Sequence, residues 1–236
     1  MEHLFPPQFL RLPGMEIALA YRHAGNREHV GGDIIDVYRL LDGQTVLSIA
    51  DISGKGVKAA VDAALVKYSM RAYASEGFSP DRILRSLNRL YIEKNINDGE
   101  ESFVTAFVAA FDPATGVLRY ASAAHDPIAI REPGRPAYEL PVTAPLLALF
   151  DDPAELFGEA RLTVESNTLL VAATDGLTES RGPGGEFFGL ERLLRLIDAN
   201  CDKDAEGVLA AVLSEVRSFS RVEFEDDTAI LVARFI

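Results

Sequence analysis

Two turn strings do most to limit how this chain can fold. Leu41-Asp42-Gly43-Gln44 and Asp112-Pro113-Ala114-Thr115-Gly116 each stand between two runs of β-branched and aromatic residues. Runs joined so tightly fold back as antiparallel hairpins, because a parallel connection needs a crossover of about a dozen residues or more. The runs are MEIALAYR from Met15, DIIDVYRL from Asp33, TVLSIADI from Thr45, SFVTAFVAAF from Ser102, VLRYASAA from Val117, TLLVAATD from Thr168 and TAILVARFI from Thr228. Helical spacing comes in two pairs. Between Val57 and Glu76, apolar residues at Val57, Ala60, Val61, Ala64, Leu65 and Tyr68 predict a core-packing helix that stops at Gly77. Ser79 as N-cap and Pro80 at the first helical position open a second helix, with Ile83, Leu84, Leu87, Leu90 and Tyr91 along one face. The later pair runs from Leu190 to Ala199 and from Ala205 to Ser218, and the stretches Arg131–Pro136 and Asp151–Pro153 read as loops. Hairpins with helices inserted in pairs predict an α+β sandwich rather than a doubly wound parallel sheet, built as one domain over 1–236.

Composition removes several function classes. The 236 residues carry 36 acidic and 23 basic side chains, a net charge of −13, which argues against nucleic acid or an anionic membrane as partner. Hydrophobic residues make up 48%, enough for a packed core. No apolar run reaches the roughly 18 residues of a membrane span, and the N-terminus lacks the basic and apolar regions of a signal peptide. Cys201 is the only cysteine, so no internal disulfide forms, and with four histidines a cysteine/histidine zinc site is not expected. A cytoplasmic location follows as the expectation.

The chemistry lies where aspartates interrupt apolar runs. Asp33 follows Gly31-Gly32, with Asp36 three residues on; Asp51 ends VLSIA; Asp175 ends LLVAAT and precedes Gly176; Asp226 and Asp227 precede the last run. Taken singly, each is an ordinary turn-forming aspartate that caps nearby backbone N–H groups. Taken together they suggest convergence. Two carboxylates near 4 Å repel by roughly 4 kcal/mol at an effective dielectric of about 20, so a cluster requires cations or raised pKa values. Oxygen ligands select hard ions, magnesium or manganese, and two such ions suit water activation beside a phosphoryl group.

The strings VGGDIIDVY, ADISGKGVKAA, TDGLTES and DDTAILV, in that order, closely resemble the RsbU/SpoIIE-like serine phosphatases of the metal-dependent type 2C (PPM) class. Further matches are LPGMEIALAYR, FVTAFVAAFDPATGVLRYASAAHDP and GGEFFGLERLL, so the resemblance runs from about Leu12 to Ile236, with the catalytic motifs within 30–230. It implies a four-layer α-β-β-α fold and hydrolysis of phosphoserine or phosphothreonine on a regulatory protein, often an anti-anti-sigma factor of the STAS type. It also implies two Mn2+ or Mg2+ ions and an activating partner or homodimer. Carried over by motif, Asp33, Asp51, Asp175 and Asp226 are the catalytic metal ligands and Ile52 contributes its backbone carbonyl. Asp227 joins the metal set at a position where the wider class often has Asn; Asp36 fits the string without an assigned metal bond. Any sensor domain lies outside this sequence.

Two glycines usual in the family are absent: Ala124 precedes His125, and TAPLLALF lacks the glycine after its Pro-Leu pair. Arg22 and Arg27 both lie upstream of GGD, and their spacing does not single out either as a phosphate ligand. Lys55 in SGKG fails the phosphate-loop pattern at both ends. The GGD string is shared with diguanylate cyclases, but an acid and an aromatic follow it there, and Ile34-Ile35 follow here. His125 reads as structural and Cys201 as inert. The helix after Asp51 is a plausible switch, since its tilt would move a ligand. Alternatives to a phosphatase are a degenerate, partner-binding module and a metal-dependent phosphodiesterase.

Overall fold

A computed structural model of the chain describes residues 8–22, 32–54, 56–99, 101–125, 127–150, 154–220 and 226–236. Arg27, Gly31 and Lys55 lie outside them, as does the loop expected at Asp151–Pro153. The chain divides into two compact units. The central unit comprises Val30–His125 and Pro141–Thr163; the terminal unit comprises Met1–His29, Asp126–Leu140 and Val164–Ile236.

In the central unit, β3 (Ile34–Arg39), β4 (Thr45–Ile52), β5 (Val104–Asp112), β6 (Val117–Ala123) and β9 (Ala160–Thr163) form a sheet in the order β3-β4-β5-β6-β9. Every ladder in it is antiparallel. Both turn strings make the expected hairpins, and Asp42 and Asp112 each accept a backbone N–H two residues on, at 3.0 and 2.9 Å. Between β4 and β5 the chain forms α1 (Val57–Ser75) and α2 (Pro80–Asp98). Strand alternation turns Ile34, Val46, Ala50, Ile52, Val104, Ala106 and Val108 to one face, where Val66 and Met70 of α1 and Ile83, Leu84, Leu87 and Tyr91 of α2 cover them.

The expected face of α1 is not the buried one. Val57, Val61 and Tyr68 are 80%, 62% and 64% exposed, whereas Ala59, Asp62, Val66, Met70 and Ala74 are buried. Val66, Met70 and Ala74 enter the core on this face, and ion pairs lie along it: Lys94 of α2 places its ammonium 3.1 Å from the Asp62 carboxylate, and Arg71 and Lys67 reach Asp36 on β3. The α2 face is as expected, although the Ser79 side chain makes no capping bond.

In the terminal unit, β1 (Gln8–Leu12), β2 (Met15–Arg22), β7 (Ile128–Arg131), β8 (Tyr138–Glu139), β10 (Leu169–Ala173) and β11 (Thr228–Phe235) form an antiparallel sheet ordered β1-β2-β11-β10-β7-β8. Arg131, expected in a loop, is the last residue of β7. A short helix α3 (Asp175–Thr178) leads to α4 (Gly189–Ala199) and α5 (Ala205–Ser220). Val208, Leu209, Val212 and Val216 of α5 pack with Leu193 and Ile197 of α4 against Ala18, Ala20, Val171, Ile230 and Val232. Each fully buried Val, Leu or Ile among them contributes about 1.5–3 kcal/mol.

Candidate active site

The aspartates come together in two pairs, one in each unit. In the central unit Ile34 is opposite Ala50, so Asp33 just before it and Asp51 just after face each other where β3 and β4 run out. Residues opposite each other in an antiparallel pair share a face, with Cβ atoms about 4.5–5.5 Å apart. On its other side Asp51 is opposite Thr105, whose hydroxyl lies 2.7 Å from Nδ1 of the buried His125. His125 is thus structural, as expected: its Nδ1 meets Thr105 and its carbonyl accepts from Ser122 at 2.9 Å. Asp33 and Asp51 are both half-buried.

Gly32 closes this end. A Cβ there would fall 2.3 Å from the Ile52 carbonyl oxygen, so only glycine lets the two backbones come so close. The space a side chain would fill lies beside the one main-chain oxygen expected to serve a metal.

Asp36 points the other way. Three residues beyond Asp33, it lies on the helix-covered face, where Arg71 makes a two-pronged bond to it at 2.5 and 2.7 Å and Lys67 approaches to 3.4 Å. The same guanidinium lies 4.6 Å from the centre of the Tyr38 ring. Burial, with the Asp36 charge adding to it, holds the Tyr38 phenol above its ordinary pKa of 10. Asp36 is an anchor for α1, which explains why it fits the motif without a metal to hold.

In the terminal unit the second pair forms where β10 meets α3. Ala173 is opposite Ile230, Thr174 donates its N–H to the Ala229 carbonyl at 3.0 Å, and its hydroxyl accepts the Ala229 N–H at 2.9 Å. Asp175 then begins α3, exposed, while Gly176 sits against the start of β11. A Cβ on Gly176 would fall 2.1 Å from the Asp227 carbonyl oxygen and 2.6 Å from the Thr228 hydroxyl. Glycine therefore holds Asp175 beside the Asp226-Asp227 turn by close backbone approach. Asp226 is exposed and accepts the Asp227 N–H at 2.9 Å; Asp227 is half-buried and accepts from Tyr21 at 3.3 Å. Sequence reading missed Tyr21 and Thr105, because both depend on register between strands far apart in the chain.

Within either unit the donors are carboxylate and carbonyl oxygens, the set that fits magnesium or manganese. Each unit brings a pair, and among the described residues no group of three or more His, Cys, Asp or Glu side chains is gathered for a metal.

Two alanines, one of them before His125, adopt backbone conformations that glycine prefers. Ala124 has φ of 46° and Ala148 of 66°. The second is held by Asn88, whose amide oxygen accepts the Ala148 N–H at 2.8 Å and whose amide nitrogen donates to the Phe150 carbonyl at 3.3 Å.

Known proteins resemble this chain in sequence and in fold. The profile of the Stage II sporulation protein E (SpoIIE) family matches residues 41–236. The protein IcfG of Synechocystis is 27% identical over 87% of this chain and 36% of its own length. The phosphoserine phosphatase RsbU of Bacillus subtilis is 26% identical over 80% of this chain and 55% of its own. The chain thus spans between a third and just over half of these relatives. Among solved structures, the RsbU and RsbW domains of Rv1364c from Mycobacterium tuberculosis superpose with a TM-score of 0.80 at 22% identity, over 95% of this chain and 60% of that one. The SiaA-PP2C domain of Pseudomonas aeruginosa gives 0.79 at 17% identity, over 93% and 86%. RsbX in complex with magnesium gives 0.73 at 14% identity, over 98% of this chain and 100% of that one. These likenesses show the fold: the α+β class, with antiparallel sheets and flanking helices, is that of the type 2C phosphatases. With the family profile covering most of its length, the chain belongs to the SpoIIE family of PPM protein phosphatases.

Proposed function

We propose that this chain is a manganese- or magnesium-dependent phosphatase that removes phosphate from phosphoserine or phosphothreonine on a regulatory protein, with a STAS-type anti-anti-sigma factor as the substrate class. The observation that carries the reading is the presentation of two aspartate pairs, each at the end of a sheet and each packed in by a glycine that no other residue can replace. Support comes from the relatives named phosphoserine phosphatase, RsbU and RsbP of Bacillus subtilis, and from the magnesium complex of RsbX. Homodimerisation or an activating partner belongs to the same proposal.

The reading requires Asp33, Asp51, Asp175 and Asp226 to share two ions, with the Ile52 carbonyl and Asp227 as further oxygen donors. Bound ions would supply a water acidic enough to ionise near neutral pH and would neutralise charge on the transferring oxygens. The chain's own residues bind and orient. The Asp33–Asp51 pair is fixed by strand register, and Thr105, backed by His125, sets the next position on the same face. Tyr21 holds Asp227, and the cramped contact of Gly176 fixes where Asp175 stands. No side chain is assigned as nucleophile, so no phosphoenzyme forms.

The test is release of phosphate from p-nitrophenyl phosphate with and without manganese, comparing the unaltered chain with Asp175→Asn. Activity that requires manganese and falls by two orders of magnitude or more in the variant supports the reading. Equal activity in both sinks it. Manganese that does not bind, measured by calorimetry, would favour a partner-binding module instead. Preference for bis-p-nitrophenyl phosphate would make it a phosphodiesterase.

A further inference from the structure

A cleft of about 410 Å³ opens in the terminal unit between the end of β2 and the outer side of α5. It is lined by Arg22, Ala210, Leu213, Ser214, Arg217 and Ser218. Its size is near the lower end of the roughly 300–1,000 Å³ typical of small-ligand sites. Two features set it apart from a chance surface dip. The first is charge: in a chain with a net charge of −13, two guanidinium groups line one small cleft, and among the described residues no carboxylate does. Two like charges facing one cleft favour an anion within it. The second is an unmet donor. The Arg22 Nε is shielded from solvent and has no hydrogen-bond partner among the described residues. A guanidinium N–H left in that state is costly, and the acceptor that would satisfy it is missing.

Strand alternation places Arg22 on the face of β2 that carries Ala18 and Ala20, which α5 covers, and away from Tyr21, which holds Asp227. Arg22 is directly opposite Thr228, the residue that follows Asp227. The cleft therefore opens at the same end of the sheet as the Asp226-Asp227 turn, on the helical side. Among the serines, Ser218 already donates its proton to the Ser214 carbonyl at 3.0 Å, which leaves the Ser214 hydroxyl as the added donor.

We propose that the Arg22–Arg217 cleft is an oxyanion site that takes a phosphate-type dianion, separate from the aspartate pairs. Two guanidinium forks match two negative charges, whereas a single carboxylate would leave one positive charge uncompensated. The shared chemistry is the phosphate group, either free or carried on a phosphoserine of a protein. The second source rests on the phosphatase reading; the first does not.

The experiment titrates the whole chain, in EDTA to remove divalent ions, with inorganic phosphate and separately with a phosphoserine peptide. The arginine side-chain Nε–H signals are followed by nuclear magnetic resonance. Saturable shifts of the Arg22 signal are expected, weakened at least tenfold in Arg217→Gln, and in Arg22→Lys the shift of the remaining Arg217 signal is weakened likewise, while acetate at equal ionic strength leaves the signals in place. Arg217 is an exposed helix residue, so its variant tests the site without endangering the fold. Peptide binding tenfold tighter than phosphate would identify a phosphoprotein subsite, and equal affinity a site for the free ion. Absence of a saturable Arg22 shift, or a shift unchanged in Arg217→Gln, overturns the proposal. Because no metal is present, neither result depends on the manganese assay.

Discussion

The two helix pairs are attached to their sheets by different physics. In the terminal unit, α4 and α5 bury an unbroken apolar seam of Leu193, Ile197, Val208, Leu209, Val212 and Val216. In the central unit, α1 buries Val66 and Met70 between alanines, and its distinctive contacts are ionic: Asp62 with Lys94, and Asp36 with Arg71 and Lys67. An apolar seam tolerates small shifts, because its attraction has no direction. A two-pronged arginine–carboxylate bond does not, because it fixes angle as well as distance. The helix that follows directly on Asp51 is thus held by contacts that specify one position, with Val57, Val61 and Tyr68 left in solvent.

The comparison breaks first at Asp62. Its side chain is 5% exposed and that of Lys94 is 13%, so Asp62→Ala leaves a buried ammonium with only the more exposed Asp98, 3.4 Å away, and should cost up to about 3–5 kcal/mol in urea unfolding. If the pair supplies position rather than net stability, the double change Asp62→Leu with Lys94→Met recovers most of that loss. Leu209→Ala in the apolar seam should cost about 2–5 kcal/mol, and no change to a charged partner should rescue it. Equal behaviour of the two sites would erase the distinction.

A second way to separate the units is alkaline pH. Burial raises Tyr91 and Tyr38 above the ordinary phenol value of 10, and both belong to the central unit's helix attachments. The folded chain keeps these protons while the unfolded chain gives them up. Their contribution is therefore complete below pH 10 and declines as pH climbs beyond it, toward the raised folded values. Tyr91→Phe should flatten the alkaline limb of a pH–stability profile, with hydrogen exchange reporting earlier opening of α1 and α2 in the unaltered chain than of α4 and α5.

The smallest effect is expected at the two alanines with left-handed backbones. Ala124→Gly and Ala148→Gly relieve strain that an L side chain meets there, a gain that also offsets the extra freedom glycine brings to the unfolded chain. Each should raise stability by about 0.5–1 kcal/mol, read as a shift in thermal midpoint. No gain at Ala148 would mean that the Asn88 clamp, not the backbone, sets that turn.

The hairpins were readable because turn residues act locally: Asp42 and Asp112 bond to backbone two residues away. α2 was readable because its apolar face is its buried face. α1 was misread on its face since Asp62 is buried there with Lys94, distant in sequence and invisible to a count of apolar spacing. β1, β7, β8 and β9 passed unnoticed, being two to five residues long and defined by the neighbours they pair with. At the site, the aspartates and their glycines stood out by position, and the family motifs named them. What the sequence could not display was the division of labour between Asp33 and Asp36, which strand alternation alone decides once Arg71 has claimed one of them.

The seating of β11 between β2 and β10 carries a consequence for synthesis. Tyr21 must wait for Asp227, 206 residues later, before their hydrogen bond can form. At roughly 5–20 residues per second, a ribosome takes on the order of 10–40 s to cover that distance. The β3–β4 hairpin, with α1 and α2 and then β5 and β6, is complete far earlier and can assemble while β2, paired with β1 on one side, still has open the edge that receives β11. The nascent chain would therefore hold a half-built sheet open until β11 emerges, and slow translation of the stretch between β10 and β11 would prolong the interval in which that edge is open to the wrong partner.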